Sequence, residues 1–144
     1  RAVFLFMDPP YSTHIDYSDD PACIGRLDAG APGGRGQVQG AEYYRAMEGA
    51  LREAHRVLRD RRYMAIYVSD SFKKRKAPAL SFMPIGFELF SIARGLFKPV
   101  DIVAVVRQNA KLRKGNWHKA AEEENFFLRG FNYLLIFKKE SDAR

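Results

Sequence analysis

The sequence predicts an α/β fold in which strands and helices alternate in the order β-α-β-α-β-β. Four apolar runs of strand length recur along the chain, at residues 2–7, 63–68, 100–106 and 131–137. Between the first three runs lie two stretches with the length and apolar spacing of helices. The chain of 144 residues is 47% hydrophobic, which indicates a single globular domain, 1–144, with a real core.

The first apolar run, residues 2–7, predicts a fully buried strand. It stops at Asp8, because Pro9 and Pro10 cannot continue the hydrogen-bond ladder of a sheet. The strand therefore ends in a carboxylate, a rigid proline backbone with a free carbonyl, and the ring of Tyr11. Open α/β sheets bind their ligands at this end of the strands.

These groups suit chemistry on an exocyclic amine of a nucleobase, which is a poor nucleophile because its lone pair is delocalised into the ring. The Asp8 carboxylate and the Pro9 carbonyl can accept hydrogen bonds from such an amine and localise its lone pair. Tyr11 can stack on a base that has been taken out of its helix. This chemistry needs no metal. The alternative interpretation is an Asp-Pro turn after a core strand.

A long irregular segment follows, residues 12–40, in which Gly, Asp and Pro are frequent and no regular period persists. A loop of this length beside a strand-end site is more often functional or mobile than idle, so we expect a flexible substrate loop. Its acidic residues Asp19, Asp20 and Asp28 match no calcium-loop pattern. No metal site is therefore predicted.

Residues 41–60 predict an amphipathic helix. Its apolar stripe, which we expect to pack on the core, consists of Tyr44, Met47, Leu51, Ala54 and Leu58. With the strands on either side, this helix forms a βαβ unit. A second helix is predicted to begin at Pro84 and to end near Gly95, before the third strand. Residues 73–76 are four consecutive cations, which form either a solvated loop or a phosphate contact.

The most basic stretch, residues 107–125, separates the last two strands and is predicted to be a loop. Cations in such a loop can meet phosphates and its one tryptophan can stack on a base, although a solvated charged face is the alternative. The candidate nucleic-acid contacts are Arg107, Lys111, Arg113, Lys114, Trp117, His118 and Lys119. A formal net charge of +7 agrees with a polyanionic partner. His118 has no second ligand at metal-binding spacing.

Composition also restricts the cellular setting. Cys23 is the only cysteine, which excludes an intrachain disulfide and a cysteine-rich metal site. The sequence contains neither a signal peptide nor an apolar run of membrane-spanning length. We therefore expect a cytoplasmic protein with no membrane partner.

Two motifs resemble those of a known family. Asp8-Pro9-Pro10-Tyr11 after an apolar strand resembles the catalytic motif of the DNA amino-methyltransferases, which methylate adenine N6 or cytosine N4 from S-adenosylmethionine. An Asp in the first position resembles the adenine enzymes, whereas the cytosine enzymes more often begin with Ser. Residues 115–119 and 129–134 together resemble the terminal motif of bacterial DNA methylases. The resemblance thus spans nearly all of the chain.

The resemblance implies the C-terminal half of a Rossmann-like, S-adenosylmethionine-dependent methyltransferase sheet, with its last strand antiparallel. It implies DNA as partner, S-adenosylmethionine as cofactor, and site-specific methylation of adenine N6, as in restriction-modification systems. Asp8 and the Pro9 carbonyl would hold the amine, Pro10 would stiffen the turn, and Tyr11 would stack on the flipped base. The long loop would cover that base.

The residues that would line the base pocket from the long loop are His14, Asp16 and Tyr17, which follow Tyr11 closely. Ordinary loop polar residues are the alternative at each of these positions. The sequence lacks the glycine-rich turn that binds the cofactor in this family, so we expect that half on a further segment or subunit. The alternative functions are an RNA or cytosine-N4 amino-methyltransferase and a non-catalytic nucleic-acid-binding subunit.

Overall fold

The structure, a computed structural model, describes residues 1–15, 17–73, 81–108 and 115–140. Six strands and three helices follow one another along these residues. They are β1 (Ala2–Met7), α1 (Ala41–Val57), β2 (Leu58–Val68), β3 (Ser71–Lys73), β4 (Ser81–Met83), α2 (Ile85–Ala93), β5 (Lys98–Val106), α3 (Gly115–Glu123) and β6 (Phe131–Lys138). None of the described helices is both long enough and apolar enough to cross a membrane.

Four of the strands form one sheet in the order β1-β2-β6-β5. β1 and β2 are parallel, with Met7 opposite Ile66, and β6 runs antiparallel to both of its neighbours, with Leu135 between Ile66 and Ile102. The predicted α/β class and the antiparallel last strand are therefore confirmed. Because parallel strands end at the same edge, the residues that follow β1 and β2 lie along one edge of the sheet.

The core lies on one face of this sheet, between the strands and helices α1 and α2. Alternate residues of the two central strands are buried there, among them Ile66 and Phe137. Four residues of the predicted stripe lie on α1 and are buried against them. The fifth, Leu58, is buried as the first residue of β2, because α1 ends at Val57 and not at residue 60. The spacing of apolar residues thus identified the buried face of this helix correctly.

The prediction that β1 is fully buried was wrong. Leu5 and Met7 pack against the core, whereas Val3, Phe4 and Phe6 are 57%, 54% and 58% exposed. β1 is an edge strand of the described sheet, and both helices that pack on this sheet's core lie on the same face. An unbroken apolar run does not reveal how many faces of a strand the described chain covers.

Two further elements differ from the sequence-based prediction. Strands β3 and β4 pair as a short antiparallel hairpin where no strand was predicted, because three residues are too few to display an alternating pattern. The segment 107–125, predicted to be a loop, contains helix α3. This helix begins at Gly115, and within it Lys119 pairs with Glu123 one turn later at 3.6 Å.

Candidate active site

The four residues Asp8 to Tyr11 directly follow β1 at the edge of the sheet where β2 also ends. Asp8 is exposed, Pro9 is buried, and Pro10 and Tyr11 are half-buried. A buried proline beneath an exposed carboxylate fixes the backbone while leaving the acid accessible to solvent. The geometry therefore presents Asp8 outward from the strand end.

A hydrogen bond joins the first and last of these residues. The Tyr11 hydroxyl donates to Oδ1 of Asp8 at 3.2 Å, and Oδ2 has no hydrogen-bond partner among the described residues. Burial, and then the negative charge of Asp8, raises the pKa of the Tyr11 hydroxyl. The hydroxyl consequently stays protonated near neutral pH and remains a donor to the carboxylate.

A side chain of helix α1 holds the backbone of the proline pair through a hydrogen bond. The hydroxyl of Tyr43, a fully buried residue of α1, donates to the backbone carbonyl of Pro10 at 2.6 Å. Its ring packs edge-on against Tyr44 with the centroids 5.1 Å apart. The anchored carbonyl is that of Pro10, one residue beyond the Pro9 carbonyl that the sequence analysis assigns to the amine. Core packing of α1 therefore sets the direction of the turn.

Replacing Tyr43 by Phe removes this hydrogen bond without leaving a cavity. We expect Tyr43→Phe to lower the free energy of unfolding by about 1–2 kcal/mol, because the half-buried Pro10 carbonyl loses its donor. Chemical denaturation measures the loss. Tyr44→Phe is the matched control, since the Tyr44 hydroxyl is buried with no hydrogen-bond partner in the described part of the chain. Equal losses in the two variants would contradict the assigned anchor.

Ser12 ties the long loop to the turn. It is buried and has a φ of 64°, in the left-handed region that costs a non-glycine residue about 1 kcal/mol. Its hydroxyl donates to Oδ1 of Asp28 at 3.2 Å and accepts from the N–H of Ala29 at 2.9 Å. These two bonds hold the backbone of the loop directly behind Tyr11.

Of the predicted pocket residues, Tyr17 is the one whose side chain the structure describes. It is exposed, and its ring lies so close to Gly25 that a Cβ there would be 2.6 Å from the ring. Burial, and then the neighbouring hydroxyls of Tyr44, Tyr11 and Tyr17, raises the pKa of Tyr43. His14 lies in a single 3-10 turn, Ser12–His14, and Asp16 lies outside the described residues.

The predicted basic contacts divide into three groups. Lys111, Arg113 and Lys114 lie outside the described residues, as do residues 74–76 of the earlier cation run. Trp117, His118 and Lys119 belong to α3, where His118 and Lys119 are exposed. Arg107 instead contacts the interior of the site: its Nε donates to the side-chain oxygen of Asn132, a residue of β6.

Asn132 completes a connection that spacing in the sequence does not reveal. Its Nδ2 donates to the Tyr11 hydroxyl at 3.4 Å, across 121 positions of sequence. Asn132 lies within residues 129–134, whose resemblance to a methylase motif implies no role for this side chain. The one local signal is a polar residue inside the apolar run of β6.

A second acid near this edge serves the fold. Asp70 follows β2 and its side chain is only 1% exposed. Its Oδ1 accepts from the N–H of Gly86 at 2.8 Å, and its Oδ2 accepts from Arg129 Nη1 and the Tyr133 hydroxyl, each at 2.9 Å. Burial, and then the hydrogen bond to Asp70, raises the pKa of Tyr133. Protein donors occupy both carboxylate oxygens of Asp70, whereas within the described part of the chain only Oδ1 of Asp8 has a donor.

No group of three His, Cys, Asp or Glu side chains is placed to hold a metal ion within residues 1–15, 17–73, 81–108 and 115–140. At the end of β1 the exposed carboxylate of Asp8 and the half-buried ring of Tyr11 lie side by side, joined by a hydrogen bond. They can accept protons in hydrogen bonds and offer an aromatic surface.

Comparison with solved structures identifies the fold. TTHA0409, a protein of Thermus thermophilus named as a DNA modification methylase, matches with a TM-score of 0.58 in its selenomethionine form. The form complexed with S-adenosyl-L-methionine matches with a TM-score of 0.61. The chain shares its fold with part of TTHA0409.

The extent of these matches defines that half. Sequence identities are 16% and 14%, and both matches cover 98% of this chain and 46% of TTHA0409. The chain thus spans about half the length of the methylase structures that it matches. The predicted Rossmann-like half-sheet is confirmed as a fold shared with these methylase structures. No protein-family model matches the chain, and neither does any curated protein sequence.

Proposed function

We propose that this chain is the amine-binding part of an S-adenosylmethionine-dependent DNA methyltransferase that modifies adenine N6. The observation that carries the proposal is an exposed Asp8, followed by a buried Pro9 and the Tyr11 ring, at the carboxyl end of β1. A fold shared with a protein named as a DNA modification methylase and complexed with S-adenosyl-L-methionine supports it.

The chemistry assigned to the chain is preparation of the amine. Oδ2 of Asp8 and the Pro9 carbonyl accept hydrogen bonds from the two amine protons and draw the nitrogen lone pair out of the base ring. Tyr43 holds the adjoining Pro10 peptide group, so the acceptors are oriented before the base arrives and little reorganisation is needed. The Tyr11 ring supplies a face on which the extruded base stacks.

The cofactor supplies the methyl group, and the described residues do not provide its glycine-rich loop. β1 is followed by the Asp8 to Tyr11 turn, and β2 by Ser69 and Asp70, whose side chain is committed to Gly86, Arg129 and Tyr133. We therefore place the cofactor-binding residues on a further segment or subunit. This chain contributes the surface that meets the amine.

The remaining assignments concern DNA. We propose that the loop 12–40 covers the extruded base, with His14, Asp16 and Tyr17 lining the pocket. The residues after β5 would contact the phosphate backbone, with Arg107, Lys111, Arg113, Lys114, Trp117, His118 and Lys119 as the contacts. The net charge of +7 and the exposure of His118 and Lys119 on α3 support this assignment.

The test measures transfer of a labelled methyl group from S-adenosylmethionine to duplex DNA. It uses the protein as encoded, with any sequence that flanks residues 1–144, and mass analysis of the product nucleosides. We expect N6-methyladenine. N4-methylcytosine, or methylation of RNA alone, would contradict adenine specificity. DNA binding without methyl transfer would contradict the enzyme and favour a non-catalytic binding subunit.

A further inference from the structure

Asn132 is a buried amide at the centre of a chain of hydrogen bonds that reaches the proposed active site. It lies on β6 opposite Val105 of β5 and is 4% exposed. On one side its oxygen accepts from Arg107 Nε, and on the other its nitrogen donates to the Tyr11 hydroxyl at 3.4 Å. The Tyr11 hydroxyl then donates to Oδ1 of Asp8 at 3.2 Å.

The direction of every bond in this chain is fixed by its two ends. A guanidinium can only donate, so the amide of Asn132 must turn its oxygen to Arg107 and its NH2 group to Tyr11. A carboxylate can only accept, so the Tyr11 proton points at Asp8. Donors and acceptors therefore alternate without conflict from Arg107 to Asp8, and each bond polarises the next.

A backbone hydrogen bond holds Arg107, the end of this series of hydrogen bonds that lies farthest from Asp8. The N–H of Arg107 donates to the Gly130 carbonyl at 2.7 Å, where β5 and β6 meet. Asn132 follows two residues after Gly130 on the same strand. The two residues that support Tyr11 are therefore held by the paired strands β5 and β6, since Arg107 directly follows β5 and Asn132 belongs to β6. Tyr11 itself follows β1, which β2 separates from β6 in the sheet.

We infer that Asn132 is a positioning residue for the proposed methyl transfer, acting through the Tyr11 hydroxyl on the Tyr11 ring and on Asp8. This inference rests on the proposed function. A ring whose hydroxyl is held on two sides is oriented before a base stacks on it, which removes that ordering cost from the reaction. The same bond occupies Oδ1 of Asp8 and leaves Oδ2 for the amine.

Asn132→Asp separates this role from simple packing. The variant keeps the shape of the side chain and an oxygen acceptor for Arg107, but it removes the NH2 group that donates to Tyr11. The Tyr11 proton would then have two competing carboxylates. If Asn132 acted only through packing contacts, the variant would keep that role, because its side chain has the same shape.

The experiment is a double-mutant cycle on methyl transfer to duplex DNA, using the protein as encoded. We expect Asn132→Asp to lower kcat about tenfold with little change in KM, because the hydrogen bond that it removes orients Tyr11 and makes no contact with the substrate itself. In a Tyr11→Phe background, where the hydroxyl is already missing, the same substitution should change kcat by less than about twofold. An equal loss in both backgrounds, or no loss in the wild-type background, would overturn the inference.

The same four proteins separate this inference from the proposed function. Absence of methyl transfer in the wild-type protein would refute the proposed function. In that case, the midpoint of chemical denaturation is measured for the same four proteins and replaces kcat in the double-mutant cycle. Coupled midpoint shifts for Asn132→Asp and Tyr11→Phe would show that the Asn132 to Tyr11 hydrogen bond forms and holds the Tyr11 ring. Additive shifts would overturn it.

Discussion

Asp70→Ala is expected to lower the free energy of unfolding by about 3–5 kcal/mol, the cost of removing one partner from a buried ion pair. The side chain of Asp70 is 1% exposed and that of Arg129 is 22% exposed, with 2.9 Å between Oδ2 and Nη1. The substitution also leaves the Gly86 N–H and the Tyr133 hydroxyl without their acceptor. A loss of this size is a large fraction of the stability of an ordinary domain.

Chemical denaturation of two variants tests the explanation. Asp70→Asn keeps the shape and one acceptor oxygen for Gly86, so its loss should be smaller than that of Asp70→Ala. Glu53→Ala breaks the exposed ion pair with Arg56 on α1 and should cost less than about 1 kcal/mol. A small loss for Asp70→Ala, similar to that of Glu53→Ala, would show that the buried network contributes little.

Local pattern predicted the fold because the information needed was local. The stripe of α1 repeats every three or four residues, and one buried face is enough to produce it. The position of Asp8 at a strand end followed equally from two consecutive prolines, which stop a ladder wherever they occur. Neither inference required knowledge of a distant part of the chain.

The errors in the prediction arose where tertiary structure decides the outcome. The apolar composition of β1 gave no sign that Phe4 and Phe6 would be exposed, since that depends on which elements cover the sheet. The role of Arg107 was also hidden. Its charge predicted a phosphate contact, which stays a prediction, and did not reveal that β5 and β6 pair so that its Nε meets Asn132.

The residues that hold the candidate site in place could not be predicted from the spacing of residues in the sequence, for the same reason. Tyr43 reaches Pro10 across 33 positions, and Asn132 reaches Tyr11 across 121. Sequence analysis therefore located the groups proposed to meet the substrate. It did not locate the residues that hold them in place.

Asp8→Ala is expected to lower the rate of methyl transfer by about 10²–10³-fold, the usual cost of removing one preorganised hydrogen-bond partner from a reacting centre. Stability should change little, because Asp8 is exposed and lies beyond the end of β1. DNA affinity should also be retained, since phosphate contacts dominate it. Asp8→Asn is the matched control, because its amide oxygen still accepts one hydrogen bond from the amine.

The rate constant for a single turnover of methyl transfer to duplex DNA tests the central claim most directly. It is compared among the wild-type, Asp8→Asn and Asp8→Ala proteins at saturating DNA and S-adenosylmethionine. Our account predicts the fastest transfer for the wild type, an intermediate rate for Asp8→Asn and the slowest for Asp8→Ala, with equal DNA binding. Transfer by Asp8→Ala at the wild-type rate would contradict the assignment of Asp8 as the acceptor for the amine.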